Sequence, residues 1–86
     1  MLNIPQLSAQ SKQVLQLIKN HGVYNGRQLA AETGLAPEKL VEIIGELVRH
    51  DLVAVSGDFY TENGIGQAYF NIRPSNSDLA EMCLKS

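Results

Sequence analysis

Residues 28–53 read QLAAETGLAPEKLVEIIGELVRHDLV, and this stretch decides the fold of the chain. It begins inside a predicted helix that runs from Gly26 to about Thr33. Asn25 precedes this helix and is of the residue type that caps helix starts. Gln28 lies three residues later, in the position where its side chain completes a capping box with Asn25. The local pattern therefore predicts a well-defined helix start.

A sharp turn and a second helix follow in the same stretch. Gly34 has no Cβ atom and can take the positive φ that turns the chain sharply. Pro37 then opens a helix over about residues 37 to 50, because the first turn does not need the missing amide. At about 100° per residue this helix is amphipathic. Its apolar side carries Leu40, Ile43, Ile44, Leu47 and Val48. Its outer side carries Glu38, Glu42, Glu46 and Arg49.

The chain before this stretch carries the pattern of a further helix. Ser8 or Ser11 can cap its start, apolar residues recur at helical spacing, and Gly22 ends it. Val23 and Tyr24 then form a short extended piece. Tyr24 is expected to pack where that piece joins a sheet.

The chain after this stretch is predicted to form a β-hairpin. Residues 52–55 are apolar and rich in β-branched side chains, and residues 68–72 alternate between two faces. We expect these two runs to pair as antiparallel strands. The connection over residues 56–67 contains the turn pair Asn63-Gly64, and it reads as a long mobile loop or as a hairpin extended by further strand residues.

Length and composition point to one globular domain. The chain has 86 residues and a mass of 9.4 kDa, and a chain this short buries only about 60 to 65% of its unfolded surface in a single core. We expect that core over about residues 8–73. No apolar run approaches the roughly 18 residues of a membrane span, and no signal peptide is recognised at the start. The single cysteine, Cys83, forms no internal disulfide, so a reducing, cytoplasmic location is expected.

The charge balance argues against a strongly polyanion-seeking protein. The formal net charge is −2 and the pI is near 5.5. Residues 1–25 carry two bases and no acid, whereas residues 26–72 carry three bases and seven acids. Residues 26–72 are therefore acidic, which is unusual for a surface that binds phosphate.

The order of the predicted elements is the layout of a winged helix: helix, short strand, helix, tight turn, helix and hairpin. Residues 28–53 also resemble the core of winged helix-turn-helix regulators of the MarR type, which use leucine-alanine, three variable residues, glycine and an aliphatic residue. The family pattern continues with aliphatic residues along the second helix and ends in a charged pair, glycine, leucine and valine. This chain has Asp51 in place of that last glycine, and the resemblance covers about 26 of the 86 residues. The predicted fold is mainly α with a small antiparallel β-hairpin, a three-helix bundle plus wing. A short C-terminal helix from Ser77 or Asp78 is also expected.

The resemblance implies a DNA-binding module of the transcription-regulator type, with one helix in the major groove and the wing against the backbone. The residues expected to contact duplex DNA are Arg27, Gln28, Thr33, Ala36, Glu38, Lys39 and Glu42. The first two begin a helix whose amides and dipole favour phosphate. The predicted wing carries Asp58 and Glu62 and no cation, although cations supply much of the affinity for a duplex.

The alternative is a protein-interaction module without DNA binding, in which a basic partner docks on Glu38, Glu42, Glu46, Phe59 and Tyr60. The three glutamates fit a solvated face, a face for a basic partner or a base-reading face. The aromatic pair fits a protein contact, a stacking platform for a base, or packing back onto the hairpin. Gly45, on the outer side of its helix, is either simply tolerated or admits a close-approaching backbone or phosphate.

Catalysis is not expected, and no cofactor or metal site is predicted. His21, His50 and Cys83 are scattered, without the spacing of known metal or nucleophile motifs. Both histidines are expected at helix C-termini, where the dipole favours a cation. A homodimer is expected, since one unit presents little cationic surface and apolar residues near the termini lack obvious partners. These residues are Leu2, Ile4, Leu7, Leu79, Met82, Cys83 and Leu84.

Overall fold

The computed structural model describes residues 4–85, of which 61% are helical. The helices are α1 Ala9–His21, α2 Gly26–Thr33, α3 Pro37–Arg49, α4 Glu62–Ile65 and α5 Ser77–Lys85. The strands are β1 Val23–Asn25, β2 Val53–Ser56 and β3 Tyr69–Ile72. A 3₁₀ turn, Pro74–Asn76, precedes α5. The prediction of a mainly helical chain with a small antiparallel sheet is therefore confirmed, and so is the short C-terminal helix.

The predicted helix signals operate locally. Ser8, rather than Ser11, caps α1, because its hydroxyl accepts a hydrogen bond from the Ser11 amide at 3.1 Å. The capping box of α2 is present: the Asn25 side chain accepts from the Gln28 amide at 2.8 Å, and the Gln28 side chain accepts from the Asn25 amide at 3.4 Å. Gly34 ends α2 with φ at +73°, the left-handed conformation that glycine adopts without steric cost.

The three strands form one antiparallel sheet in the order β1-β3-β2. The predicted hairpin is confirmed as β2 and β3, and the short extended piece after α1 adds β1 to the other side of β3. Phe70 lies in the centre, opposite Tyr24 on one side and Val55 on the other. Phe70 is fully buried and Tyr24 is 3% exposed, so this row of the sheet faces the core.

The apolar residues near the two ends mostly pack within the chain. Leu7, Ala80 and Cys83 are buried, and Leu79 and Leu84 are half-buried against the core. Helix α5 packs against α1, where the Lys19 Nζ atom lies 2.7 Å from the Glu81 Oε1 atom. The expectation that the terminal apolar residues lack partners is therefore wrong for Leu7, Leu79, Cys83 and Leu84, whereas Ile4 is 37% exposed. Leu2 lies outside the described residues.

The connection between β2 and β3, residues 57–68, is called the hairpin tip below. It is neither a long loop nor extra strand, because it contains α4. The Asp58 carboxylate accepts hydrogen bonds from the Tyr60 amide at 2.9 Å and the Thr61 hydroxyl at 2.8 Å, and these bonds hold the pKa of Asp58 below its usual value. Thr61 in turn accepts from the Gly64 amide at 3.0 Å and caps α4. Ile65 is 1% exposed and anchors the tip in the core.

Asp51 is the one non-glycine residue with positive φ in the described part of the chain, at +58°. Its backbone therefore has the left-handed conformation that glycine adopts at no steric cost. We expect Asp51→Gly to raise the free energy of unfolding by about 0.5–1 kcal/mol. The exposed ion pair that this change removes, Arg73 Nε to Asp51 Oδ1 at 3.8 Å, contributes little. Urea unfolding measures the change, with Asp51→Ala as the control, and an alanine variant as stable as the glycine variant would contradict it.

His21 and Tyr24 form a stack at the end of α1. Their ring centroids are 4.3 Å apart and the planes differ by 3°. His21 occupies the last turn of α1 and His50 follows α3, as expected for both. The Tyr24 hydroxyl is buried and has no hydrogen-bond partner among the described residues. Burial raises the pKa of Tyr24 from 10.0 to about 12, and the nearby Glu32 carboxylate adds to the increase.

This raised pKa predicts a loss of stability at alkaline pH. The unfolded chain releases the tyrosine proton near pH 10, whereas the folded chain keeps it until about pH 12. The stabilising contribution is therefore complete below pH 10 and declines between pH 10 and 12. Tyr24→Phe should show a smaller decline over that interval, measured by urea unfolding at several pH values. If the free energy of unfolding declined equally with pH in Tyr24→Phe and in the unsubstituted protein, the burial of this hydroxyl would be contradicted.

Candidate functional site

Helix α3 supplies most of the surface that the sequence singled out. Its apolar side is buried as predicted at Leu40, Ile43, Ile44 and Leu47. Glu38 and Glu42 are exposed on the opposite side. Val41, Gly45 and Val48 follow each other at helical spacing along a flank that faces the hairpin tip. The helix therefore presents an acidic outer side beside an apolar flank.

The predicted row of three glutamates is shorter than expected. Glu46 is half-buried and turns toward α1, where its Oε2 atom accepts a hydrogen bond from the Ser11 hydroxyl at 3.2 Å. The placement of Glu46 on the outer side was therefore wrong. Lys39 Nζ lies 3.6 Å from Glu42 Oε1, so one of the two remaining acids forms an exposed ion pair. Such a pair contributes little to stability, and Glu42 remains accessible.

The start of α2 is bonded to the hairpin tip. Arg27 and Gln28 are exposed, as expected of residues that contact a ligand. However, the Gly26 amide donates to the Ala68 carbonyl at 3.1 Å, and the Arg27 amide donates to the Gly66 carbonyl at 3.0 Å. The Gln28 amide is used by the capping box. These amides are thus not available to a phosphate, which corrects that part of the sequence interpretation.

Two further predicted contact residues lie at the turn between α2 and α3. The Thr33 hydroxyl donates to the Leu29 carbonyl at 2.6 Å and accepts from the Leu35 amide at 3.3 Å, so it stabilises the turn. Ala36 is exposed and immediately precedes α3. The structure thus brings Ala36, Glu38, Lys39 and Glu42 together at the N-terminal end of α3.

A groove of about 370 Å³ lies between α3 and the hairpin tip. It is lined by Val41, Gly45, Val48, Arg49, Phe59 and Tyr60. The Phe59 and Tyr60 ring centroids are 4.1 Å apart and the planes are tilted by 31°. Phe59 is half-buried and packs against the core, whereas Tyr60 is 75% exposed. One aromatic ring therefore supports the tip, and the other is free to contact a ligand.

Gly45 contributes open space to this groove. A Cβ atom at this position would meet only the Arg49 Nη1 atom, at 3.8 Å. Packing within the described chain therefore does not require glycine here, although glycine costs a helix about 1 kcal/mol relative to alanine. The absence of a side chain keeps room between α3 and Tyr60.

The surroundings of the groove are acidic. Glu38 and Glu42 lie on α3, Asp58 directly precedes the aromatic pair, and Glu62 begins α4 two residues after it. Helix α4 packs against α3, so the acids of the tip belong to a segment that contacts the acidic helix. Arg49 is the cation that lines the groove. Four carboxylates on α3 and the tip therefore outnumber the two cations Arg49 and Lys39, and Lys39 lies 3.6 Å from Glu42. This imbalance favours a cationic ligand.

Gly45 and the aromatic pair were predicted as separate features, and their common groove was not predicted. Val48 was assigned to the apolar side of the helix, and Val41 was not singled out. The signal was present in the spacing, because positions 41, 45 and 48 follow one another on a helix flank that is neither fully buried nor charged.

Residues 4–85 contain no group of three or more histidine, cysteine or carboxylate side chains that could hold a metal ion. No helix within the same range is long and apolar enough to cross a membrane. Comparison with known proteins finds no matching family model, curated protein or solved structure.

Proposed function

We propose that this chain is a winged-helix domain that binds another protein through the groove between α3 and the hairpin tip. The order α1, β1, α2, α3 and hairpin supports the fold assignment, with the hairpin as the wing. The sheet order β1-β3-β2 supports it further, since it attaches the strand after α1 to the hairpin. The resemblance of residues 28–53 to MarR-type regulators points in the same direction.

One observation carries the choice of protein over DNA. The hairpin tip lies against α3, so that Tyr60 and Gly45 border an apolar groove beside the helix that would enter the major groove. A duplex-binding surface at this position requires cations that replace counterions along the phosphates. An exposed aromatic ring beside an apolar depression, as Tyr60 is here, is instead typical of protein interfaces.

DNA binding is the second candidate. Exposed residues at the starts of both helices favour it, since helix-turn-helix proteins contact DNA there. These residues are Arg27 and Gln28 on α2, and Ala36 and Glu38 at the start of α3. A glutamate on the reading helix can accept a hydrogen bond from cytosine. A homodimer would double the cationic surface, and sedimentation tests whether it forms.

A random peptide library selected against the purified protein tests the protein-binding function. Tyr60→Ala should weaken binding of the enriched peptides at least about tenfold, because exposed tyrosines at interface centres contribute strongly. Tyr69→Ala is the matched control, since Tyr69 is a second exposed tyrosine, 52% accessible, on β3.

The same protein is titrated with a pool of mixed DNA duplexes. The proposal predicts no specific shift in the electrophoretic mobility of the duplexes at low salt. A mobility shift at about 50 mM salt that is lost at about 200 mM would overturn it, if Arg27→Ala together with Lys39→Glu also abolishes that shift. Equal loss of peptide binding in Tyr60→Ala and Tyr69→Ala would also contradict it.

A further inference from the structure

We infer that the partner is a cationic peptide segment that inserts one bulky aliphatic side chain between Gly45 and Tyr60. This inference rests on the proposed protein-binding function and specifies the chemistry of the ligand. The groove supplies an apolar receiving surface, and its surroundings supply the charge that selects the segment.

The shape of the groove points to a single inserted side chain. Val41 and Val48 lie about one helical turn to either side of Gly45, so they form two apolar walls with an open position between them. Tyr60 faces that position from the hairpin tip. A Cβ atom on residue 45 would meet only the Arg49 Nη1 atom, at 3.8 Å, so there is room for an apolar group beside the guanidinium. An aliphatic side chain from a partner would bury its surface against all four residues.

The charges point to lysine or arginine on either side of the inserted residue. Glu38 and Glu42 border the N-terminal half of α3, and Asp58 and Glu62 flank the aromatic pair. Asp58 keeps its negative charge because the Tyr60 amide and Thr61 hydroxyl both donate to it. Lys39, the nearest cation on that half of α3, is already paired with Glu42.

The Arg49 guanidinium lies beside the open position at Gly45. Its Nη1 atom is 3.8 Å from the place that a Cβ atom on Gly45 would occupy. Basic residues of the segment should therefore lie over the acids, and an acidic residue of the segment should lie near Arg49.

The peptides enriched from the random library provide the first test. They should carry net positive charge and one leucine, isoleucine or methionine. A synthetic enriched peptide should lose at least about 30-fold in affinity when its lysines are replaced by glutamate, and a similar amount when its aliphatic residue is replaced by serine. Enriched peptides that are neutral or acidic, yet lose binding to Tyr60→Ala, would overturn the inferred chemistry while leaving the protein-binding function intact.

Variants of the protein provide the second test, with folding checked separately. Gly45→Leu should fill the groove and lower the affinity for the enriched peptide at least about 30-fold. Gly45→Ala should raise the urea midpoint of unfolding and still lower the affinity for the peptide. A structural defect would not produce this combination. Glu42→Lys should lower the affinity for the peptide at least about tenfold. Asp78→Lys makes the same charge change on α5 and should leave the affinity unchanged. Unchanged affinity in Gly45→Leu would overturn both the inference and the proposed site.

Discussion

Replacing Gly26 with alanine is expected to lower the free energy of unfolding by about 3 kcal/mol, the upper end of the usual cost of overpacking. Gly26 begins α2 where this helix meets the hairpin tip. A Cβ atom at this position would overlap the Ile65 carbonyl oxygen and lie 3.2 Å from the Gly66 Cα atom. The obstacle is backbone, which cannot rotate away as a flexible side chain can. The substitution should also break the hydrogen bond from the Gly26 amide to the Ala68 carbonyl.

Gly66→Ala is the matched control for this prediction. It makes the same chemical change in the same contact region, but a Cβ atom on Gly66 would have nothing within 4 Å. Gly66 also has φ at −67°, a conformation open to every residue. Urea unfolding of both variants compares the two changes directly. Equal stability of the two variants would contradict the close approach of α2 to the tip.

The second large effect is expected at Ile65. Ile65→Ala should lower the free energy of unfolding by about 2–4 kcal/mol, because the side chain is 1% exposed and its removal leaves a cavity. Ile65→Val, which removes one methyl group, should cost only about 0.5–1.5 kcal/mol. The loss matters for function because Ile65 attaches the hairpin tip, and with it Tyr60, to the core.

Hydrogen exchange separates this local role from a general loss of stability. The Arg27 amide donates to the Gly66 carbonyl, so its protection reports whether the tip lies against α2. In Ile65→Ala this amide should lose more protection than the amide of Ile18, which is in the core of α1. Equal loss at both positions would show that Ile65 supports the whole fold and not the tip in particular.

The elements that could be predicted from the sequence are those specified by neighbouring residues. Asn25 and Gln28 form a capping box within one helical turn, and Gly34 and Pro37 end one helix and begin the next. These signals act over three or four residues, so they do not depend on the rest of the fold. The burial of Leu40 and Ile44 also followed from periodicity, because one face of an amphipathic helix must meet the core.

The hairpin tip was missed although part of its signal is local. Asp58 and Thr61 are residues that bond to nearby amides, and they do so here. What the sequence does not specify is where the tip packs. That outcome requires Ile65 to enter the core and Gly26 to leave space for its backbone, and these residues are far apart along the chain.

The orientation of Glu46 has a similar cause. A helical wheel places it beside the outer row, but it cannot show which neighbouring element lies nearest. Ser11, 35 residues earlier on α1, offers a hydroxyl that bonds the carboxylate. Separating Glu46 from Glu42 therefore required knowledge of how α1 packs. As a result, the candidate site is the helix flank beside Tyr60, and not the row of three glutamates expected from the sequence.

An NMR titration of the isotope-labelled protein tests the central claim most directly, with an enriched peptide and a mixed DNA duplex added in separate experiments. We predict that the peptide shifts the backbone amide signals of Val41, Gly45, Val48 and Tyr60, and that the duplex leaves them unchanged. Saturable shifts caused by the duplex at Arg27, Gln28 and Lys39, with a peptide that leaves Gly45 and Tyr60 unaffected, would contradict it.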